Sequence, residues 1–371
     1  MATLRRWLAL CVARGACLTL PSNVVDLRQR VAIVTGASRG IGKGIALELG
    51  AAGMTVYCAA RSSRESGLSA DRALGDAGAD ATVEATCDEV AQLGGVGIPV
   101  AYDAADDAAF SAVVAAIEAR HGRLDVVVCS AFTTPPALDS ASWRGDFWSQ
   151  GAAEMWDACH GVGLRSAYLA CCAAVPLMIR TAAKETRPLL VLVSSFGGKS
   201  YTFNVAYGVG KAATDRLARD MAVQLRRHDV DTVALYPGVV RTEGNVEMDR
   251  LGKWAAASGG LDLSRGETPR FSGRAIVELL RRPDLCERES GNVQVVAELA
   301  KTLGFEDVDG SRPASIRSLQ FLVPNFVLTE AALAATAQPL RGLFAAARNN
   351  VPDVLLPWSI FAEPPPQPPQ P

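Results

Sequence analysis

The residues best suited to proton chemistry are Tyr207 and Lys211, in the run AYGVGKAATDRLA over residues 206–218. A spacing of four on a helix stacks the phenol and the ammonium on one face. Gly208 and Gly210 lie between them, although glycine weakens a helix interior by about 1 kcal/mol relative to alanine. Small residues there let a ligand come close. A phenol titrates near its reference value of about 10, so it is a weak acid at neutral pH. A neighbouring ammonium favours phenolate and brings proton exchange with an alcohol or ketone within reach. The run LVSSFGG offers Ser194 and Ser195 as hydroxyls that could hold the same oxygen. Either serine fits, and an ordinary surface Tyr/Lys pair is the plain alternative.

A second set of residues suits a phosphate. VAIVTGASRGIGKGIALEL places Gly36, Ser38, Arg39, Gly40, Ile41 and Gly42 between an apolar run and a helical one. In such a turn backbone N–H groups and the helix dipole can meet a pyrophosphate. A tight turn with close helix packing would need the same glycines. The next apolar run ends at Arg61, with no acid before Glu65. An acid at that place serves the ribose of NAD, whereas an arginine suits the 2′-phosphate of NADP. Arg61 and Arg39 therefore favour NADP(H) over NAD(H) as cofactor. Asp103, ending the third apolar run, is placed to meet an adenine ring or to cap the next helix.

The elements that must position these groups alternate. Apolar runs at RVAIVT, MTVYCAA, IPVAYD, LDVVVCSA, LLVLVSS, DTVALYP and NVQVVA are separated by helical patterns, among them residues 41–53, 106–122, 153–180, 206–227 and 269–282. Short apolar strands between helices predict an α/β fold: a Rossmann-type, doubly wound, seven-stranded parallel sheet with helices on both faces. Residues 62–97 exceed what one helix needs and are expected to hold an insertion. Residues 243–270, rich in glycine, serine and charge, read as a substrate lid.

These motifs together (TGASRGIG, the SS pair, YGVGK and YPGVVRT) resemble the short-chain dehydrogenase/reductase family over roughly residues 30–310. The resemblance implies that Tyr207 is the general acid/base and that Lys211 is its partner and holds the nicotinamide ribose. It implies that Ser195, with Ser194 still open, donates to the substrate oxygen. Pro237, Gly238 and Thr242 resemble the loop at the carboxamide end of the cofactor. FWSQGAAEMWDACHGVGLRSAY and SGNVQVVAELAKTLGFEDVDG resemble one branch of that family more narrowly, which implies NADPH-dependent reduction of ketones and steroid-like carbonyls. The implied partner is a small carbonyl or alcohol substrate, and the implied assembly is a homo-oligomer built on helix faces.

Two positions depart from the family pattern. Cys129, Ser130, Ala131 and Phe132 replace a common Asn-Asn-Ala-Gly run, and Gly161 stands where many members carry a relay asparagine. His160 beside it is either a substitute in the relay or a histidine on the helix surface. These changes motivate a rival reading: an NADP(H)-binding sensor or scaffold with impaired catalysis.

Bulk composition narrows the rest. With 371 residues, 49% of them apolar, the chain can bury one large core. A net charge of −2 gives no general attraction for nucleic acid. Nine cysteines without a CxxC pair read as buried thiols, and three histidines without ligand spacing exclude a zinc site or a histidine-centred triad. Residues 1–29 read as an N-terminal extension or targeting segment, Arg-rich and without an acid before Asp26. Residues 30–310 form the oxidoreductase domain of this reading. Residues 311–371 form an apolar extension ending in EPPPQPPQP, which either caps the core or touches a membrane interface. The expected location is intracellular, with mitochondrial or endoplasmic-reticulum association as options.

Overall fold

The structure is a computed structural model, and it describes residues 25–64, 81–133, 142–149, 151–182, 186–338 and 340–362. The extension over residues 1–24, much of the anticipated insertion (65–80) and the proline tail lie outside the described residues.

Seven strands form one parallel sheet: β1 (Val31–Thr35), β2 (Thr55–Ala60), β3 (Val96–Ala101), β4 (Val126–Cys129), β5 (Leu189–Val193), β6 (Asp231–Tyr236) and β7 (Val293–Val295). Their order is β3-β2-β1-β4-β5-β6-β7, all pairs parallel. The sequence reverses direction of winding between β1 and β4, so the crevice above that point is where ligands of such sheets bind. Helices α1 (Gly40–Ala51), α2 (Val83–Gln92), α3 (Ala109–His121), α4 (Ala152–Asp157), α5 (Ser166–Thr181), α6 (Val205–Leu225), α7 (Glu243–Arg250), α8 (Trp254–Ser258), α9 (Pro269–Leu280), α10 (Pro283–Glu289) and α11 (Val296–Leu303) follow in chain order.

Strand alternation divides the core. Ala32 and Val34 join α1, α9 and α11 on one face, through Ile45, Leu49, Phe271 and Ile276. Val31 and Ile33 join α3, α5 and α6 on the other, through Ile117, Ala174, Leu177 and Ala218. With both faces covered, all five residues of β1 are buried, which is why the strands read as unbroken apolar runs rather than alternating ones.

Three elements differ from expectation. β3 begins at Val96, two residues before the anticipated IPVAYD, because it extends the ladder back to Thr55 of β2. The last strand is only three residues long and runs straight into α11. The helix anticipated over 153–180 is three pieces, with a π-helical stretch at Ala158–Arg165 between α4 and α5. Such widened turns occur often at functional sites. Here the turn contains Gly161 and Gly163, and a Cβ on Gly163 would stand 2.8 Å from the ring of Phe132. The run Ala152–Thr181 is long and apolar enough to cross a membrane by composition alone. In the fold, Ala167, Ala170, Cys171, Ala174, Leu177 and Met178 from it are buried in the core.

The C-terminal segment packs back on the sheet. Leu356 N–H bonds the Arg317 carbonyl at 3.0 Å, and Arg317 holds Glu298 at 2.7 and 2.6 Å. Trp358 then lies 6.0 Å from the ring of Phe196 and 6.1 Å from that of Tyr236.

Candidate active site

The glycine turn closes on itself. Gly36 has a left-handed φ of 71°, and a Cβ there would lie 3.0 Å from the Ala131 backbone. A Cβ on Gly42 would lie 2.2 Å from the Gly36 carbonyl oxygen. No larger residue fits without opening the turn. Above it runs a cleft of about 1020 Å³ whose lining includes Gly36, Ser38, Arg39, Gly40, Ile41, Gly42, Arg61, Asp103, Lys211 and Thr242. The chain thus brings the glycine-turn residues, Arg61, Ser194 and Lys211 to one crevice. Asp103 lines the cleft and accepts from the Ala105 N–H at 2.9 Å, and it does not cap the following helix, which begins at Ala109.

The donors there suit an anionic, elongated ligand. The Glu243 carboxylate already accepts from the Gly40 N–H at 2.8 Å, so an anionic oxygen sits at the first turn of α1. Arg39 and Arg61 lie on the same lining. The glycine turn, the two arginines and the cleft volume of about 1020 Å³ fit a nicotinamide dinucleotide. Glu243 was not singled out from sequence; only its place next to Thr242 could have flagged it. Thr242 itself caps α7 by accepting from the Asn245 N–H at 3.2 Å.

At the other end, β5 and α6 assemble the reacting groups. Asn204 caps α6, accepting from the Tyr207 N–H at 2.8 Å and donating to the Trp143 carbonyl at 3.2 Å. The cap fixes where Tyr207 begins its turn. It too escaped sequence reading, although an Asn just before a helix is a recognisable cap. Tyr207 Oη donates to Ser195 Oγ at 2.8 Å. Ser194 lines the cleft, but its hydroxyl is engaged: it is buried and donates to Asp215 at 2.7 Å, with the Lys211 carbonyl oxygen 3.2 Å away. The geometry therefore separates the two serines and pairs Ser195 with the phenol. Lys211 Nζ donates to the Val193 carbonyl at 3.0 Å and lies 5.0 Å from the centroid of the Phe132 ring.

Burial dominates the electrostatics of the Tyr207–Lys211 pair. Burial pushes the Tyr207 phenol up to about 12, and the Ser195 hydroxyl offsets only part of this. The rings of Phe132, Trp143 and Phe203 crowd it at 5.8, 5.7 and 5.4 Å. Burial also brings Lys211 down to about 8. Desolvation is the largest influence on both groups. Tyr207 is held as a proton donor.

Pro237 and Gly238 are not among the cleft-lining residues; Gly238 packs on Glu267, where a Cβ would meet Oε2 at 3.0 Å, beside the Val240–Glu267 bridge. Ser195 and Tyr207 are also outside the lining, next to Phe132, which is part of it. His160 is not a surface histidine. It is 9% exposed, with Nε2 bonded to the Ala206 carbonyl at 2.9 Å and Nδ1 unpartnered. Cys159, its neighbour, is the residue of that turn whose charge state bears on both Lys211 and Tyr207.

A doubly wound parallel sheet with a glycine turn over the crevice and a Ser-Tyr-Lys group at its end defines an oxidoreductase with an NAD(P)-binding Rossmann fold. Residues 30–250 match the family model described as short chain dehydrogenase, and the chain belongs to the short-chain dehydrogenase/reductase family. Within it, the chain falls in the branch of dehydrogenase/reductase SDR family member 1. It is 37% identical to that protein of Mus musculus over 296 residues, covering 77% of this chain and 86% of the relative. The Homo sapiens counterpart is 36% identical over 290 residues, covering 76% and 84%. Among solved structures, a metagenomic short-chain oxidoreductase in complex with NADP superposes with a TM-score of 0.53 at 26% identity, covering 73% of this chain and 97% of that one. The fold also matches a 3-oxoacyl-[acyl-carrier protein] reductase from Brucella melitensis in complex with NAD, with a TM-score of 0.58 at 23% identity, over 72% and 95% of the two chains.

Proposed function

We propose that this protein transfers hydride between NADP(H) and the carbonyl carbon of a small ketone or steroid-like substrate. The observation that carries the reading is the Tyr207–Ser195 hydrogen bond of 2.8 Å, set beside Lys211 at the end of the cleft that begins at the glycine turn. When bound, the nicotinamide supplies the hydride. The chain's own residues do the remainder. The turn from Gly36 to Gly42 takes the pyrophosphate, and Arg61 with Arg39 takes the 2′-phosphate. Ser195 Oγ and Tyr207 Oη converge on the substrate oxygen; Tyr207, neutral up to about 12, gives it a proton during reduction. Phe132, Trp143 and Phe203 exclude water around the phenol. Lys211, aimed by the Val193 carbonyl, meets the ribose hydroxyls and stabilises the phenolate left behind.

NADPH oxidation by the purified protein over a panel of ketones, quinones and steroids tests this. Wild type should consume NADPH in preference to NADH, Tyr207→Phe should lose roughly 10²-fold or more in rate, and Arg61→Asp should reverse the cofactor preference. Tight NADPH binding with no turnover of any panel member would favour the sensor reading. That reading has one specific support: the Phe132 ring lies against the Lys211 ammonium, in place of the glycine that the family pattern carries there.

A peripheral membrane contact belongs to the same reading. Phe326, Val327, Leu340 and Leu343 are exposed on the C-terminal segment, and such apolar side chains can enter a lipid interface.

A further inference from the structure

Three residues other than glycine have a left-handed backbone among the described residues: Gln29, Asp229 and Phe203, the last with a φ of 64°. Gln29 and Asp229 sit in turns ahead of β1 and β6. Phe203 is the bulky one, and it stands one residue before the cap of α6, four before Tyr207. Aromatic residues adopt this conformation rarely, and strain of that kind is kept where a site needs it. The neighbouring bonds hold it in place. The Asn204 N–H donates to the Thr202 carbonyl at 2.9 Å, closing a three-residue turn centred on Phe203; such a turn with positive φ is uncommon and strained. Thr202 Oγ1 donates to the Ser200 carbonyl at 3.2 Å, and the Tyr201 hydroxyl to the Phe203 carbonyl at 3.3 Å.

The strained turn puts a ring beside the phenol. Phe203 lies 5.4 Å from the Tyr207 ring at 69° between planes, and 6.0 Å from the Trp143 ring. Trp143 meets Tyr207 at 5.7 Å and 72°, and Phe132 meets it at 5.8 Å and 87°. Three segments supply these rings: the end of β4, the single turn Ser142–Arg144, and the turn before α6. All three stand edge-to-face with one phenol, the geometry that ring quadrupoles favour. Asn204 joins two of the segments, because its side chain both caps α6 and donates to the Trp143 carbonyl. A carbonyl oxygen bonded to Ser195 and Tyr207 brings its substituents up against this set of rings.

We propose that the substrate carbonyl carries a planar aromatic ring, as in an aryl ketone, and that Phe203 is a specificity-determining residue that receives that ring together with Trp143. The proposal takes the roles of Ser195 and Tyr207 from the function proposed above and narrows its substrate class. An aryl group extends the edge-to-face set, whereas a saturated ring of the same size fills the space without a quadrupole to match it.

Acetophenone and cyclohexyl methyl ketone share carbonyl, methyl and ring size and differ in aromaticity. Calorimetric titration of each into the intact protein saturated with NADP+, which has no hydride to give, reads binding without turnover. Wild type should hold acetophenone about threefold to tenfold more tightly, the size of one or two edge-to-face contacts. Phe203→Leu should bring the two dissociation constants to within about twofold by weakening acetophenone, and Phe203→Tyr, which keeps the ring, should restore the preference. Phe203→Gly, at ease with positive φ, is the companion if the leucine variant does not fold, and should lose the preference likewise. Repeating the titrations with NAD+ separates a wrong cofactor from a wrong substrate class. Equal affinities in wild type, or binding of neither ketone with either cofactor, overturn the aryl assignment. A preference that survives in a folded Leu or Gly variant overturns the role of Phe203. Selective binding of acetophenone with no reduction by NADPH or NADH counts against the function proposed above and leaves the ring assignment standing.

Discussion

Lys211 occupies an unfavourable position for a cation, and that has a measurable signature. Its pKa falls from 10.5 to about 8 on folding. Between those values the unfolded chain binds a proton that the folded chain has released, so stability rises with pH across that window. Below pH 8 the buried charge costs a few kcal/mol, on the order of 1.4 kcal/mol per pKa unit. Lys211→Met should therefore be more stable than wild type in thermal melts at pH 7, with the gap closing towards pH 10, while reduction of ketones falls sharply. A variant destabilised at pH 7 would contradict this account. A residue retained at a cost to stability is what a functional site predicts.

At the scale of elements, the segment after β6 contributes a wall of the cleft. Helices α7 and α8 and their N-caps supply Thr242, Glu243, Glu247, Met248, Lys253 and Ala256 to the lining. Glu243 holds that segment to Gly40, at the turn where a pyrophosphate would be received. A pyrophosphate received at the Gly40 N–H would compete with this carboxylate. Glu243→Ala should tighten NADPH binding about threefold to tenfold, an effect near 1 kcal/mol for one charge at a helix N-terminus. Fluorescence titration of NADPH measures it, and weaker binding would show that Glu243 serves as a structural clasp instead. Gly42→Ala, which forces a Cβ to within 2.2 Å of the Gly36 carbonyl oxygen, should abolish NADPH binding while far-UV circular dichroism stays nearly unchanged.

Across the whole molecule, a buried acid far from the phenol shapes stability. Glu267 is 1% exposed and burial pushes its carboxyl up to about 8 from 4.5. In that interval the folded state keeps a proton that the unfolded state has lost, so this contribution is complete below pH 4.5 and fades as pH rises through 8. Glu267→Gln keeps an acceptor for the Gly238 N–H and never ionises. Its Tm should exceed that of wild type at pH 8 and approach it at pH 5. Equal differences at both values would exclude Glu267 as the source.

Much of this was legible in the sequence. Parallel strands buried on both faces must be apolar throughout, so seven apolar runs between helical periods announced the sheet. The glycine turn was legible because its backbone conformations and close approaches admit no side chain, and Tyr207 and Lys211 because four residues make one helical turn. What tertiary structure alone decided was everything set by neighbours distant in sequence. Ser195 rather than Ser194 meets the phenol because Asp215 and the Lys211 carbonyl claim Ser194. Glu243 reaches Gly40 across 203 positions. Tyr207 titrates high although a lysine is near, because desolvation depends on the rings of Phe132, Trp143 and Phe203 that close around it, and no local spacing records how deeply a group will be buried.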